Sequence, residues 1–218
     1  MKGHTEVVNS VCIDGELAIT ASDDLTVRIW TIEDGQRLKI AHPKVVLDAG
    51  FFHGHEQALI FTLSNDGFVR FFDMRHSQIS PRTCIAVRDA SRTALAVAKG
   101  EEALLAIAEF LEVRVYDATC GTMVARCVIP DEVRRVHSIE FMCPPEFYLI
   151  CGCEDGQLVL VNLASNYAEG FDLHASDLRY GLRGGVSVIR GEPQKNYIAY
   201  AFAKGTWGIA QLLEQEEE

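Results

Sequence analysis

One stretch constrains the fold more than any other, because degenerate copies of it recur along the chain. It is Ser22-Asp-Asp-Leu-Thr-Val-Arg-Ile-Trp30. The copies share a short strand-like run that closes on an aromatic or apolar residue, and most of them place an acidic turn before it. The closing residues lie 42, 44 and 45 residues apart, and they are Trp30, Phe72, Tyr116 and Val161. A fifth, more degraded copy covers residues 206–212. A period of this length predicts a repeat architecture in which each unit is a small group of strands.

Alternation of apolar and polar residues predicts four short strands in each of the first four units and three in the fifth. The units form one domain over residues 1–213 and span about 3–42, 43–89, 90–130, 131–175 and 183–213. Four dipeptides that tolerate positive φ close hairpins within them: Asp14-Gly15, Asp34-Gly35, Asp66-Gly67 and Asp155-Gly156. Both faces of the strands carry apolar residues, which indicates sheets packed between neighbouring sheets.

Gly3-His4, Ser22-x-Asp24 and Ile29-Trp30 together resemble the WD40 repeat of β-propellers. The resemblance covers nearly all of the chain. It is strong in the first unit, good in the second, and rests mostly on the period thereafter. It implies an all-β fold, a WD40-type β-propeller built from four-stranded antiparallel blades around a channel. About five blades are expected, with the last lacking its outer strand.

The resemblance also implies a tetrad of side chains inside each well-preserved repeat: a histidine, a serine or threonine, an aspartate and a tryptophan. A buried polar set of this kind is acceptable only if every member has a partner. The first repeat supplies His4, Ser22, Asp24 and Trp30, and the second supplies His42, Ser64, Asp66 and Phe72. Gly54-His55 looks like the dipeptide that opens a repeat. It falls between two strands of one unit, so we do not count it as a repeat opening.

The number of units is unusual for this family, in which seven blades are common. The N-terminal Met1-Lys2 is too short to supply the strand that the fifth unit lacks, so a free sheet edge is expected. Three explanations are open: the chain is a shortened version of a longer propeller, it closes as an irregular five-bladed ring, or a partner adds a strand or blade to the open edge.

Charge and composition exclude several classes of function. A net charge of −11 and a pI near 5.1 oppose sequence-independent binding of nucleic acid, and no apolar run is long enough to span a bilayer. We find no signal-peptide pattern at the N-terminus, and the seven cysteines are an odd number. Reduced thiols in a cytoplasmic or nuclear protein are therefore expected, with Cys151-Gly-Cys153 packed in a strand rather than binding a metal.

Three sets of residues have both a chemical and a structural interpretation. Asp23-Asp24 could be a catalytic pair, but the repeat favours Asp24 as a tetrad member. His53, His55 and Glu56 could bind a transition metal, although an exposed turn is favoured. Arginines recur two residues before the first three closing residues, and they could bind phosphate or pair with local acids; they are Arg28, Arg70 and Arg114. We favour the ion pairs, and we expect no metal, no cofactor and no catalytic residue.

Two segments depart from the repeat. Asp177–Gly185 is predicted to be an elongated loop, and it carries residue types favoured at interfaces: Arg179, Tyr180 and Arg183. An ordinary connection is the alternative. Residues 214–218 are acidic, and a disordered, solvated tail is expected there.

These features predict a non-enzymatic scaffold or adaptor that binds proteins or peptides in a multiprotein complex. The resemblance implies that partners meet the narrower face of the propeller, near residues that open each unit: Glu6, Lys44, Arg92 and Arg135. A substrate receptor that presents clients to a ubiquitin ligase or kinase is the alternative, and an enzyme that uses the channel is a more distant one.

Overall fold

The structure is a computed structural model that describes residues 3–52, 59–75, 79–98, 103–129, 135–142, 148–163, 167–171, 185–192, 197–203, 205 and 207–211. Over these residues the chain forms nineteen β-strands and one short 3-10 helix, Ala90–Arg92. In chain order the strands are β1 Val8–Asp14, β2 Leu17–Ser22, β3 Thr26–Thr31, β4 Gly35–Ala41, β5 Val46–Phe51, β6 Leu59–Ser64, β7 Phe68–Asp73, β8 Pro81–Ala86, β9 Thr93–Val97, β10 Leu104–Glu109, β11 Glu112–Asp117, β12 Met123–Val128, β13 Val136–Met142, β14 Tyr148–Cys153, β15 Leu158–Asn162, β16 Tyr167–Phe171, β17 Val186–Glu192, β18 Tyr197–Phe202 and β19 Trp207–Gln211. Within this part of the chain there is no helix that could cross a membrane.

The strands form five antiparallel sheets in which neighbours in sequence are neighbours in space. The first sheet is β1–β4, the second β5–β8, the third β9–β12, the fourth β13–β16 and the fifth β17–β19. The predicted all-β fold of four-stranded antiparallel units is therefore confirmed, with three strands in the fifth sheet over the described residues. Among the described residues, β17 and β19 are the outer strands of that sheet.

The sheets share a local irregularity that makes their residues easy to align. In four of them the register shifts at the start of the first strand, between Val8 and Ser10, Val46 and Asp48, Val136 and Ser138, and Val186 and Val188. A shift of this kind is a β-bulge, which re-aims the side chains that follow it. The bulge marks Ser10, Asp48, Ser138 and Val188 as equivalent positions.

Packing divides the chain into two compact units. Unit 1 comprises Met1–Arg92, Lys99–Leu104 and Asp117–Thr122, and it contains the first and second sheets. Unit 2 comprises Thr93–Ala98, Leu105–Tyr116 and Met123–Glu218, and it contains the fourth and fifth sheets and most of the third. Each unit has its own apolar core.

The core of unit 1 lies between the first and second sheets. Ile19 and Ile29 of the first sheet meet Ala49 and Phe51 of β5, and all four side chains are buried. The core of unit 2 is built in the same way, with Ile150 and Leu158 of the fourth sheet against residues of the fifth. Because successive side chains of a strand point to opposite faces, each internal sheet needs apolar residues at nearly every position.

The hairpin turns use the residues that the sequence predicts. Gly15, Gly35, Gly67 and Gly156, the glycines of the four Asp-Gly dipeptides, all have positive φ. The turn between the second and third strands of a sheet also requires positive φ where no glycine is present. In the first sheet Leu25 fills it with φ 65°, and in the third Phe110 fills it with φ 54°.

Candidate functional site

In the first repeat four side chains form a continuous hydrogen-bonded chain. Trp30 Nε1 donates to Thr20 Oγ1 over 2.9 Å, and Thr20 Oγ1 lies 2.7 Å from His4 Nε2. His4 Nδ1 lies 2.8 Å from Asp24 Oδ2. A carboxylate accepts only, so His4 Nδ1 donates to Asp24, and the other ring nitrogen faces the Thr20 hydroxyl. Gly3 precedes this histidine because a Cβ there would collide with the Trp30 ring.

Asp24 is the most heavily hydrogen-bonded member of the tetrad. Besides His4 it accepts bonds from the Thr26 hydroxyl at 2.5 Å, the Thr26 amide at 3.1 Å and the Thr5 amide at 3.2 Å. Burial alone would raise the pKa of Asp24, but the hydrogen bonds from Thr26, His4 and Thr5 outweigh it and hold the pKa well below its ordinary value. The carboxylate is therefore charged, fully engaged and unsuited to proton transfer.

The hydroxyl of this tetrad is Thr20, and the sequence-based assignment to Ser22 is corrected. Ser22 lies on the same face of β2, two residues nearer the turn, and its Oγ accepts from the Asp24 amide at 3.1 Å. Strand pairing decides the matter: Thr20 is opposite Arg28 and therefore diagonal to Trp30. Counting the register outward from the turn would have found Thr20.

The second repeat keeps the framework but only part of the hydrogen-bonded chain. His42 Nε2 lies 2.9 Å from Thr62 Oγ1, so Thr62 again replaces the predicted serine, Ser64. The Ser64 hydroxyl donates instead to the carbonyl oxygens of Lys44 and Val45. Phe72 has no N–H and only contacts His42 edge to face, with ring centroids 6.0 Å apart.

Asp66 does not bind His42 as the tetrad predicts. It accepts two bonds from Arg70, Nη1 at 3.0 Å and Nη2 at 2.5 Å, and the side-chain bond from Arg70 lowers its pKa. His42 Nδ1 is buried and has no hydrogen-bond partner among the described residues. Burial, with a smaller contribution from Arg70, lowers the pKa of His42, so its ring is neutral near pH 7.

The recurring arginines pair with local acids, as we favoured, and do not form a phosphate site. Arg70 binds Asp66, Arg114 Nη2 donates to Glu109, and Arg28 Nη2 lies 3.6 Å from Asp24. All three guanidinium groups are largely covered by their sheets. Their charges are neutralised inside the repeat.

The residues predicted to contact partners lie at the entrances to the sheets. Glu6 and Lys44 are exposed two residues before β1 and β5. Arg92 is exposed directly before β9, with Nε 3.3 Å from Asp89, and Arg135 is half-buried directly before β13. The remaining predicted positions are outside the described residues: Arg179, Tyr180, Arg183, His53, His55, Glu56 and the tail at 214–218.

The described residues contain no group of three or more histidine, cysteine or acidic side chains placed to hold a metal ion. Cys151 and Cys153 are buried in β14, and burial raises the pKa of both thiols, that of Cys153 to about 12. Thiols of this kind are protonated and inert near neutral pH. Asp23 binds the Asn9 side-chain amide at 2.7 Å, so it does not form a carboxylate pair with Asp24.

Comparisons with known proteins agree with this geometry. Residues 1–31 match the family model described as WD40, "WD domain, G-beta repeat". A DDB1- and CUL4-associated factor 7 homolog from Dictyostelium discoideum is 41% identical over 69 residues, which is 31% of this chain and 21% of that protein. A periodic tryptophan protein 2 homolog from Caenorhabditis elegans is 29% identical over 75 residues, 34% of this chain and 8% of that protein.

Among solved structures, a chain of the crystal structure of the mitotic checkpoint complex superposes with a TM-score of 0.76 at 15% identity. The match covers 98% of this chain and 64% of that one. The chain therefore spans less than two thirds of that structure and at most about a fifth of the two relatives.

The sheets, their bulges and the tetrad define a repeat protein of the β-propeller class. Residues 1–31 match the WD40 repeat, and the four-stranded antiparallel sheets together with the structural match show the fold of a WD40-type β-propeller. Proteins of this class are interaction modules and are generally not enzymes.

Proposed function

We propose that the protein is a non-enzymatic adaptor that binds protein partners through the entrances to its sheets, within a multiprotein complex. The observation that carries this proposal is a repeated backbone clamp. Just after β2, β6 and β14, a backbone amide donates to the carbonyl that precedes the first strand of the same sheet. The three bonds are Asp23 N to Val7 O, Asn65 N to Val45 O, and Glu154 N to Arg135 O, at 2.8–2.9 Å.

Each clamp holds an entrance segment beside a hairpin turn, so the side chains there are presented from a fixed backbone. A fixed loop surface on a rigid scaffold loses little conformational entropy on binding, which favours recognition of partners. In unit 1 the surface carries Glu6 and Lys44, both exposed, and in unit 2 it carries Arg135. The buried carboxylates Asp73, Glu109 and Glu140, by contrast, are committed to ion pairs within the sheets.

Proteins or peptides are the partners that fit this surface. The net charge of −11 opposes a sequence-independent nucleic-acid partner. The exposed entrance cations Lys44 and Arg92 are local exceptions in an acidic chain, so a partner segment with acidic side chains suits them.

The experiment is quantitative affinity purification of the full chain from its source cell. The variant Lys44→Glu/Arg92→Glu is compared with the matched variant Arg37→Glu/Lys39→Glu, whose cations are exposed on β4. We expect the entrance variant to lose its main partner at least tenfold and the β4 variant to retain it. Equal retention by both variants, or no stable partner for the wild type, would refute the proposal.

A second candidate is a substrate receptor for a ubiquitin ligase, and the likeness to the DDB1- and CUL4-associated factor homolog favours it. It requires ligase subunits among the purified partners and a client protein that accumulates when the chain is depleted. Recovery of partners without ligase subunits leaves the adaptor as the sole proposal.

A further inference from the structure

We call the face of a sheet that is equivalent to the Ala49 and Phe51 face of the second sheet its leading face, and the opposite face its trailing face. In unit 1 the trailing face of the first sheet, with Ile19, Val27 and Ile29, packs on the leading face of the second, with Ala49 and Phe51. Polar contacts fasten the junction: Asn9 Nδ2 donates to Val46 O at 2.9 Å, and Ser10 Oγ to Asp48 Oδ1 at 2.5 Å.

Unit 2 repeats the same junction between the fourth and fifth sheets. Ile150 and Leu158 on the trailing face of the fourth sheet meet the leading face of the fifth, with Val186 and Ile189. Ser138, the equivalent of Ser10, donates to Val186 O at 3.2 Å. Two independent copies of the junction therefore define which positions it buries.

The trailing face of the fifth sheet has the residues of such a junction but remains exposed. By strand register, Trp207 is equivalent to Val27 and Ile209 to Ile29. Val27 and Ile29 are 0% exposed, whereas Trp207 is 74% and Ile209 63% exposed. Val188, at the position of Ser10 and Ser138, is exposed on the same face.

The leading face of the first sheet shows the complementary feature. Val11 and Ile13 are equivalent to Ala49 and Phe51 of the second sheet, which are buried. Val11 and Ile13 are 61% and 60% exposed. Apolar side chains grouped in this way on a protein surface mark interaction sites.

We propose that the chain associates head to tail with a second copy of itself, the trailing face of the fifth sheet in one copy packing on the leading face of the first sheet in the other. A second copy is inferred as the occupant because the same junction occurs twice within the chain. One chain exposes both halves of that junction, so each copy can supply the half that the other needs. Two different faces that bind each other form a heterologous interface, which builds rings or open arrays.

The polar surroundings are compatible with this docking. Arg190 also belongs to the trailing face, but its Nη1 donates to Ile189 O at 2.9 Å and lies 3.6 Å from Glu140. The tetrad residues on the leading face of the first sheet satisfy one another. Trp207 supplies the large aromatic anchor that is favoured at the centre of interfaces. The entrance residues of the proposed partner surface belong to neither exposed cluster.

Analytical ultracentrifugation of the full chain over about two decades of concentration tests the proposal. We expect the mass of the wild type to rise from monomer to dimer or higher species. Trailing variant Trp207→Glu/Ile209→Glu and leading variant Val11→Glu/Ile13→Glu should each associate at least tenfold more weakly. The matched control Val124→Glu/Val128→Glu changes two exposed apolar residues of β12 and should associate like the wild type.

The decisive measurement is an equimolar mixture of the trailing and leading variants. One intact face remains on each, so a head-to-tail interface predicts dimers and nothing larger. The chain has two tryptophans, and Trp30 is already buried, so a blue shift of the fluorescence reports burial of Trp207. A mixture that stays monomeric while the wild type associates would overturn the proposal.

Other occupants of the two faces give different results, and each overturns the proposal. A wild type that stays monomeric with Trp207 shielded from acrylamide would indicate closure within one chain. A monomer with Trp207 accessible at every concentration would indicate that a blade of another protein covers this face. Circular dichroism of all variants confirms that the substitutions leave the sheets folded.

Discussion

The first and second repeats share one framework of strands and differ in which side chain binds the equivalent aspartate. In the first, Asp24 binds His4 at 2.8 Å, whereas Arg28 Nη2 stays 3.6 Å from the carboxylate and Nη1 donates to Gln36 at 2.5 Å. In the second, Asp66 is bound by Arg70.

The difference follows from what stands opposite the closing residue. Gln36 pairs with Trp30 and accepts from Arg28, whereas Pro81 pairs with Phe72 and offers Arg70 no side-chain acceptor. Without that acceptor, and without an indole N–H to orient the threonine and histidine, arginine takes the carboxylate. The two repeats therefore share their strand register and not their tetrad. The tetrad is one of two ways in which a repeat binds its buried aspartate.

The largest effect is expected when each aspartate is removed. Asp24→Ala leaves His4 Nδ1 and the Thr26 hydroxyl and amide without their acceptor, and each buried unsatisfied group costs about 1–3 kcal/mol. We expect a loss of about 3–4 kcal/mol in the free energy of unfolding. Asp66→Ala removes the acceptor of a single side chain, Arg70, so a smaller loss of about 1–2 kcal/mol is expected there. Urea unfolding followed by circular dichroism measures both.

Asp24→Asn is the control for this pair, because it keeps the shape and one acceptor oxygen and should fall between wild type and Asp24→Ala. A loss from Asp66→Ala as large as that from Asp24→Ala would show that the two repeats depend equally on their carboxylates.

Exchange of the closing residues tests the comparison more directly. Trp30→Phe removes the indole N–H from Thr20 and part of a buried ring, and a loss of about 2 kcal/mol is expected. Phe72→Trp brings an N–H towards Thr62 and should change stability by less than about 1 kcal/mol, since the new bond is offset by the larger ring. Thermal unfolding of both variants provides the measurement.

The double variant Phe72→Trp/Pro81→Gln is the sharper version, because it supplies Arg70 with the acceptor that Gln36 gives Arg28. A crystal structure should show His42 bound to Asp66. If Arg70 keeps the aspartate, the acceptor opposite the closing residue does not decide the pairing.

The period, the hairpin glycines and the five groups of strands were all predictable, because alternation and turn chemistry are local properties. The resemblance assigns the tetrad hydroxyl to Ser22 and Ser64 from spacing along the sequence alone. The hydroxyls that contact the histidines are those of Thr20 and Thr62, because strand register decides the choice. The predicted pairing of Asp66 with the histidine is wrong because Arg70 binds the Asp66 carboxylate instead. Arg70 competes for that carboxylate only where the histidine has no tryptophan beside it.

The exposed face of the fifth sheet was beyond prediction for a different reason. Trp207 and Ile209 alternate like the buried residues of every other sheet, and alternation does not tell whether a neighbouring sheet covers them. Only comparison of equivalent positions in folded sheets separates Trp207 from Val27.

A smaller, pH-dependent effect is expected from His42 of the second repeat. Burial lowers the pKa of His42, so the folded state favours the neutral ring. Its contribution to stability is present above the unfolded pKa of about 6.5 and is lost as pH falls towards the folded pKa. Urea unfolding between pH 7 and pH 5 should therefore show falling stability, with a slope from one proton of at most about 1.4 kcal/mol per pH unit.

His42→Gln should remove that slope and keep a donor or acceptor near Thr62. His137→Gln, which changes an exposed histidine of β13, should leave the slope in place. A slope that survives His42→Gln would assign the pH dependence to another group.

The smallest effect concerns the turn that both repeats share. Leu25 has φ 65° where the second repeat has Gly67 at φ 86°, and a non-glycine residue in this region costs about 1–2 kcal/mol. Leu25→Gly relieves that strain but adds unfolded-state entropy of about 0.5–1 kcal/mol, so a net gain of about 0.5–1 kcal/mol is expected. Gly67→Ala should show the reverse, a loss of about 1 kcal/mol. Leu25→Ala keeps the Cβ and should bring no gain; if it stabilises as much as Leu25→Gly, then the half-exposed leucine side chain, and not the backbone, is the source of the strain.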